Sequence, residues 1–474
     1  MNAFSMWESQ IIFKNGWFIY MDGKGNNSII SHKQARELEE GYQRYQASMD
    51  VNRGGMPDKI AYPGRGFVPK DGKYVYENYC VDKFIVSEIA SIASVLIIPE
   101  FVGGIFINSI ASKAFRNEAI IEKVVLHSGI KEIGESAFEG CYNLNEILGQ
   151  NSQIIIKKDA FKDTAIFKDQ EVTYINNTLT RVNPGLSGVF EVKMGTTAIA
   201  DEAFKDCSQI TEIILPEGLG VIGKGCFTNC SNLYNITFPS RMDKIGAAAF
   251  TGCVALQSIY LPEGIDEIPR GTFCKCERLH EVHIPQSVKN IAFDAFKECG
   301  FMTQYEKGSQ EELYIGHWLI DYKWKEKEEL IVREGTIGIA DMSWVNASRL
   351  RSVRLPDSLR YIGTEAFHGA SITAIELPAN LLHISRAAFR GAQLIEIVVP
   401  ELVIQVEQWV FMDCEKIQRI IVKGKNTEII WPAITGRKDK KLIEICAPSG
   451  SSAEEYCLKY AKKYNLIHKK VCNR

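Results

Sequence analysis

The 474 residues carry 55 Lys and Arg against 58 Asp and Glu, a net charge of −3, with 46% hydrophobic and 24% charged residues. That balance describes ordinary globular material able to bury a core, and it excludes a disordered chain or one built around a strong overall charge. No run of roughly 18 apolar residues occurs, which excludes an ordinary membrane-spanning helix.

From the amino terminus, the first ten residues show neither a basic start nor an apolar run before a cleavage site, so no secretory signal is visible and the sequence alone points to the cytoplasm. Residues 1–83, with net charge +1, read as an N-terminal cap or a small α+β domain. Within it, residues 11–21 read as a strand or hairpin, residues 31–49 as a helix opened by Ser31 and Gln34, and residues 54–72 as a Gly/Pro-rich loop.

The segment 84–445 is periodic. Twelve aromatic residues, Phe115, Phe138, Phe161, Phe204, Phe227, Phe250, Phe273, Phe296, Trp344, Phe367, Phe389 and Phe411, recur at a nearly constant step. Seven of the eleven intervals are 23 residues, two are 22, and the remaining 43 and 48 are one period plus an insertion. A period in this range means a solenoid: one repeat cannot bury its own apolar face, and a core exists only when neighbours stack.

Downstream of each anchor, Leu233, Ile236 and Phe238 recur as Leu256, Ile259 and Leu261, then as Leu279, Val282 and Ile284. The last two letters of each set are two apart, which is strand period, and Pro239, Pro262 or Pro285 then ends the strand. Upstream, Ile222-Gly223, Ile245-Gly246 and Ile362-Gly363 predict a tight bend leading into a short helical or irregular back that carries the aromatic knob. Stacked in register, the strands form a parallel sheet with about 4.8 Å between repeats.

Residues 133–147, Ile-Gly-Glu-Ser-Ala-Phe138-Glu-Gly-Cys141-Tyr-Asn-Leu144-Asn-Glu-Ile147, resemble the signature of BspA-like leucine-rich repeats, and the likeness runs from about Phe84 to Gly424. The resemblance implies an α/β leucine-rich-repeat solenoid, arc-shaped, with a stacked parallel β-sheet on one face. It further implies a recognition module for proteins or glycans, in several members a microbial surface adhesin, which would place the chain at the cell surface or outside. An intracellular recognition scaffold or regulator is the alternative.

The two long intervals hide one device. Residues 174–181, Tyr-Ile-Asn-Asn-Thr-Leu-Thr-Arg, align with residues 314–321, Tyr-Ile-Gly-His-Trp-Leu-Ile-Asp, and each tyrosine precedes its next anchor by 30 residues. Each reads as a β-hairpin, so insertions are expected near 165–185 and 301–325. Trp318, Tyr322 and Trp324 look exposed in the second; either they form a contact site or they cover the seam.

Thirteen cysteines suggest a disulfide or metal framework until their spacing is read. Cys141, Cys207, Cys230, Cys253, Cys276, Cys299 and Cys414 all stand three residues after an anchor, where Ala347, Ala370 and Ala392 also occur. A position that accepts Cys or Ala is a small buried slot, and packed free thiols favour a reducing compartment or an anaerobic source. The segment 446–474 reads as a C-terminal cap, in which Ser451-Ser-Ala-Glu454 opens a helix to about Tyr464 before a short strand. Its lysines belong to the solvated face of that cap or meet an anionic partner.

Chemistry is sparse. Gly218-Leu-Gly-Val-Ile-Gly223 matches a dinucleotide pattern by letter but belongs to the bend of a repeat, and His280 and His283 differ by an odd number on a strand and so face opposite ways. No Walker loop, nucleophile elbow or kinase set occurs, so no catalytic, cofactor or metal residue is assigned and the chain is read as a non-enzyme. The acidic repeats, −10 over residues 84–436, make nucleic acid an unlikely partner. The candidate ligand face comprises the outward strand residues Asn235, Thr237, Ser258, Tyr260, Glu281, His283, Ser352 and Arg354, with Tyr260, His283 and Arg354 as its richest stretch. The bland alternative is that these are the polar solvent side of a sheet.

Overall fold

The computed structural model describes residues 95–470 except 99, 103–104, 150–152, 169, 324–326 and 435–440, together with three strands between residues 10 and 30. The chain divides into two compact units, one of residues 1–187, 191–207 and 216–227, the other of residues 188–190, 208–215 and 228–474. Both are built as a parallel β-solenoid with few helices.

A coil of the second unit shows how. The strand Asn235–Thr237 alternates exposed, buried, exposed, because Ile236 must enter the core while its neighbours cannot. The chain turns at Pro239 and forms a second, two-residue strand, Lys244–Ile245. It then crosses a turn around buried Phe250 and enters the next long strand, Ser258–Tyr260. Long strands pair with long strands (Ser258↔Glu281) and short with short (Glu267↔Asn290), each at the 23-residue offset of the sequence period. In the first unit Lys123↔Glu146 and Glu132↔Ile155 repeat the scheme.

The short ladder is a correction to the expected bend. Each regular short strand has two residues, too few for an alternation to be read. The glycine after it answers to close packing: a Cβ on Gly223 would lie 2.5 Å from the carbonyl carbon of Ala200, and one on Gly363 would lie 2.7 Å from that of Ala340.

The back of each coil is a turn with its own hydrogen-bonded ladder. Residues two before and two after the anchor are left-handed, as at Ala248 (φ 58°) and Gly252 (φ 76°). Alternating left- and right-handed residues aim every second N–H at the next coil, while those between, Ala249 and Thr251, bond back to Gly246 O and Ala248 O within the turn. Ala248, Phe250 and Gly252 accordingly donate to the carbonyls of Arg270, Thr272 and Cys274 at 2.8, 2.8 and 2.9 Å. Where both strands pair, all three sides of a coil are thus bonded to the next, which satisfies backbone groups that the core would otherwise strand, whereas Asn235–Thr237 and Lys244–Ile245 each end their sheet.

Inside, the anchors form columns: Phe250 and Phe273 stack at 5.4 Å, as do Phe138 and Phe161 in the first unit. Beside them the cysteines fill small slots and bond the preceding anchor's carbonyl, Cys276 Sγ to Phe250 O at 3.1 Å and Cys141 Sγ to Phe115 O at 2.9 Å. Burial pushes the thiols of Cys141 and Cys207 up to about 11, so they remain protonated packing groups.

Each insertion is an antiparallel hairpin, Val172–Ile175 with Thr178–Val182 and Glu312–Ile315 with Trp318–Tyr322. Its second strand is itself a rung of the short ladder, since Thr178 pairs in parallel with Ala198 and Trp318 with Gly338. Val182 N then donates to Ala203 O at 2.8 Å, the same bond that Phe204 makes to Cys226 O. Tyr322 packs against Trp344, ring centroids 4.0 Å apart and planes tilted by 31°. The long intervals therefore contain a further coil whose anchor is Val182 or Tyr322. Trp318 and Tyr322 are buried, so their exposed reading is overturned and they fill the seam; Trp324 lies outside the described residues.

Among the described residues the α-helices are α1, Gly300–Lys307, and α2, Ser452–Tyr464. Ser451 accepts from Glu454 N at 3.2 Å while Glu454 accepts from Gly450 N, so the capping pair forms as the sequence indicates. Tyr456 on α2 closes the last coil, its hydroxyl donating to Ile434 O at 2.8 Å and accepting from Ile434 N at 3.2 Å. The strand Leu466–Lys470 then extends the long ladder beside Ile443–Ala447. Toward the other terminus, Gln10–Lys14 and Trp17–Met21 form a hairpin, and Asn27–Ile30 adds to the short ladder at Ser109–Ile110. The helix expected over 31–49 and the loop over 54–72 lie outside the described residues. No helix among the described residues is long and apolar enough to cross a membrane.

Candidate recognition face

The outward side of the long ladder carries what the core does not constrain. On the strands Asn235–Thr237, Ser258–Tyr260 and Glu281–His283, the candidate residues project to solvent while Ile236 and Ile259 are buried and Val282 half-buried. Register places Tyr260 opposite His283 and Ser258 opposite Glu281. The two rings stack at 4.0 Å with 11° between their planes, and Tyr260 remains 60% exposed. His283 Nε2 lies 2.7 Å from Glu281 Oε1, and the Tyr260 hydroxyl donates to the same oxygen at 3.4 Å. That pairing with His283 holds the Glu281 carboxyl below its ordinary value. In the separate sheet that holds Asn235–Thr237 beside Ile210–Ile214, Asn235 Nδ2 donates to Glu212 Oε1 at 2.8 Å.

Ser352 and Arg354 belong to a different sheet, with the strand Glu329–Ile331. Arg354 Nε lies 2.8 Å from Glu329, so its charge is met locally. The richest stretch therefore divides: the structure joins Tyr260 to His283 and leaves Arg354 apart. α1 and the second hairpin separate the two strand pairs along the chain, which an offset rule does not register.

The same ladder holds side chains outside the candidate list. Ile331 is exposed, and Arg419 bridges Glu396 and Glu444 at 3.0 Å each. Arg419 is legible by the anchor rule, standing eight residues after Phe411, and Glu396 is shifted by a 22-residue step to seven after Phe389, whereas Ile331 and Glu444 follow no regular anchor at that distance. Val221–Ile222 of the glycine pattern is a strand that runs into the turn of the back, with no helix behind it to receive a pyrophosphate. Among the described residues no group of three or more His, Cys, Asp and Glu side chains is placed to hold a metal ion.

A family model described as the BspA type leucine rich repeat region matches residues 104–184, 197–312 and 322–464, well over half of the chain, in six copies. No curated protein matches significantly. Among solved structures, a leucine-rich repeat protein from Bacteroides ovatus is 19% identical over 80% of this chain and 92% of its own, with a TM-score of 0.26. A leucine rich cell surface protein from Faecalibacterium prausnitzii is 16% identical over 98% and 96%, with a TM-score of 0.27. The pneumococcal vaccine antigen PcpA is 18% identical over 80% and 89%, with a TM-score of 0.28.

Proposed function

Because the chain belongs to the BspA-type leucine-rich-repeat family, whose repeats make protein-interaction modules, we propose that it recognises a protein ligand through the outward long-ladder face from Glu212 to His283 and performs no catalysis. The observation that carries this reading is the stacked Tyr260–His283 pair, two rings held half-exposed on a rigid sheet. Aromatic side chains lose little entropy on binding and offer large contact area, which is why they dominate interface energy. A photo-crosslinking residue at position 260 should capture a partner protein that the same residue at position 428, on the short ladder, does not. Capture from both positions, or from neither, sinks this assignment of the face.

Within that class the family likeness favours a microbial surface adhesin for protein or glycan ligands. The buried free thiols of Cys141, Cys207 and Cys276 favour an intracellular scaffold instead, because such groups persist most readily where thiols stay reduced. Protease applied to intact cells separates the two: loss of the native protein supports the adhesin, and survival supports the scaffold.

A further inference from the structure

Carboxylates on the long ladder fall into two kinds. Glu146 meets Lys123 at 2.7 Å, Glu329 meets Arg354 at 2.8 Å, and Glu396 and Glu444 share Arg419. Each of these is closed by a permanently charged neighbour, which leaves little field for a partner to read. Glu212 and Glu281 are different. Glu212 accepts from the neutral amide of Asn235, and Glu281 accepts from the Tyr260 hydroxyl and lies 2.7 Å from His283 Nε2, so neither meets a lysine or arginine among the described residues. Their carboxylates are oriented by hydrogen bonds and are not closed by a lysine or arginine.

These two carboxylates stand three repeats apart, on the successive strand pairs Ile210–Ile214 with Asn235–Thr237 and Ser258–Tyr260 with Glu281–His283, and the Tyr260–His283 pair lies beside the second. The surrounding segment 84–436 is itself acidic, −10, so the field around this stretch attracts positive charge and repels negative. Resting on the reading of this face given above, we propose that its partner is a cationic protein segment whose lysine or arginine side chains meet Glu212 and Glu281. One of its cationic groups would lie against the Tyr260 ring, where the aromatic quadrupole adds to the carboxylate's attraction. Arg354 takes no part, being neutralised by Glu329.

Fluorescence anisotropy with the full chain tests this. Three labelled peptides of equal length would differ only in carrying arginine, serine or glutamate at alternate positions. The arginine peptide should bind, the other two should not, and the affinity should fall as salt is raised. Glu212→Gln and Glu281→Gln should each weaken binding about threefold and together about tenfold, while Glu428→Gln on the short ladder leaves it unchanged. An equal response to all three peptides, including no response to any, overturns the proposal, and so does an unchanged double variant. If Tyr260→Ala then abolishes binding of the serine peptide, the face stands and only its charge preference fails. If it changes nothing, the face fails too.

Discussion

The two hairpin blocks, built around Val172–Val182 in one unit and Glu312–Tyr322 in the other, are the same backbone device at an offset of 140 residues, and they differ in what fills it. Tyr174 accepts from Lys193 N, and Tyr314 from Arg333 N, both at 3.1 Å. Thr196 and Thr336 each donate to the carbonyl of that same basic residue at 2.6 Å. Asp201 N bonds Ile156 O and Asp341 N bonds Ile291 O, both at 3.0 Å, so each aspartate's backbone reaches past the hairpin to the preceding regular coil. The contents then diverge. Val182 occupies the anchor position in the first block and Tyr322 in the second; Thr178 faces Ala198 where Trp318 faces Gly338. Backbone geometry is thus copied through a few polar contacts, while the packing inside it is solved separately each time.

Truncating the substitute anchors tests that distinction most severely. Tyr322→Ala removes a ring packed against Trp344 and should cost about 4 kcal/mol, against about 2 kcal/mol for Val182→Ala. Hydrogen exchange of each block, read peptide by peptide, reports both, and equal costs would show that the anchors are not packed as independently as described.

Asp341 and Asp201 should separate next. Asp201 accepts from Lys224 N at 2.7 Å and Lys158 N at 3.3 Å, with Lys157 and Lys224 opposing the upward push of burial. Asp341 accepts from Thr364 N at 2.6 Å and from the Asn290 side chain but lies near Glu267, and burial pushes it up to about 7. Its folded value lies above that of the unfolded chain, so the folded state holds more protons between about pH 4 and pH 7. Stability of the second block should therefore fall as pH rises through that window, by about 3 kcal/mol once screening is discounted. Asp341→Asn should flatten the dependence, whereas Asp201→Asn should alter the first block's pH profile less. A second block whose exchange does not respond to pH would refute the assignment.

The smallest effect concerns size matching. A Cβ on Gly338 would lie 2.3 Å from the Trp318 ring, so Gly338→Ala should cost about 2 kcal/mol. In a Trp318→Thr background, which reproduces the Thr178/Ala198 pairing of the first block, the same change should become nearly neutral. A double-mutant cycle measures the coupling, and simple additivity would mean the ring yields without cost.

Much of this was legible because it follows from local grammar repeated many times. The anchor period identified stacked coils, the spacing of Ile236 and Phe238 identified the long strand, and the Cys or Ala slot identified packed thiols. Outward pairs such as Asn235/Thr237 followed from strand alternation. The short strands escaped because two residues show no period, and the hidden coils escaped because Val182 is not aromatic and Tyr322 follows Phe296 by 26 residues. On the candidate face, the approach of Tyr260 to His283 depends on register between strands 23 residues apart, and the pairing of Arg354 with Glu329 depends on where the ladder resumes after the second hairpin.

By itself, then, the sequence determined the repeat, its inward and outward residues and the family it resembles, because each depends on residues within one coil. Tertiary structure alone decided that the back is a hydrogen-bonded ladder, that Trp318 and Tyr322 are interior, and which carboxylates on the long ladder meet a lysine or arginine. Those outcomes depend on which side chains from neighbouring coils arrive within bonding distance, and a repeat that specifies its own coil leaves that to the stacking.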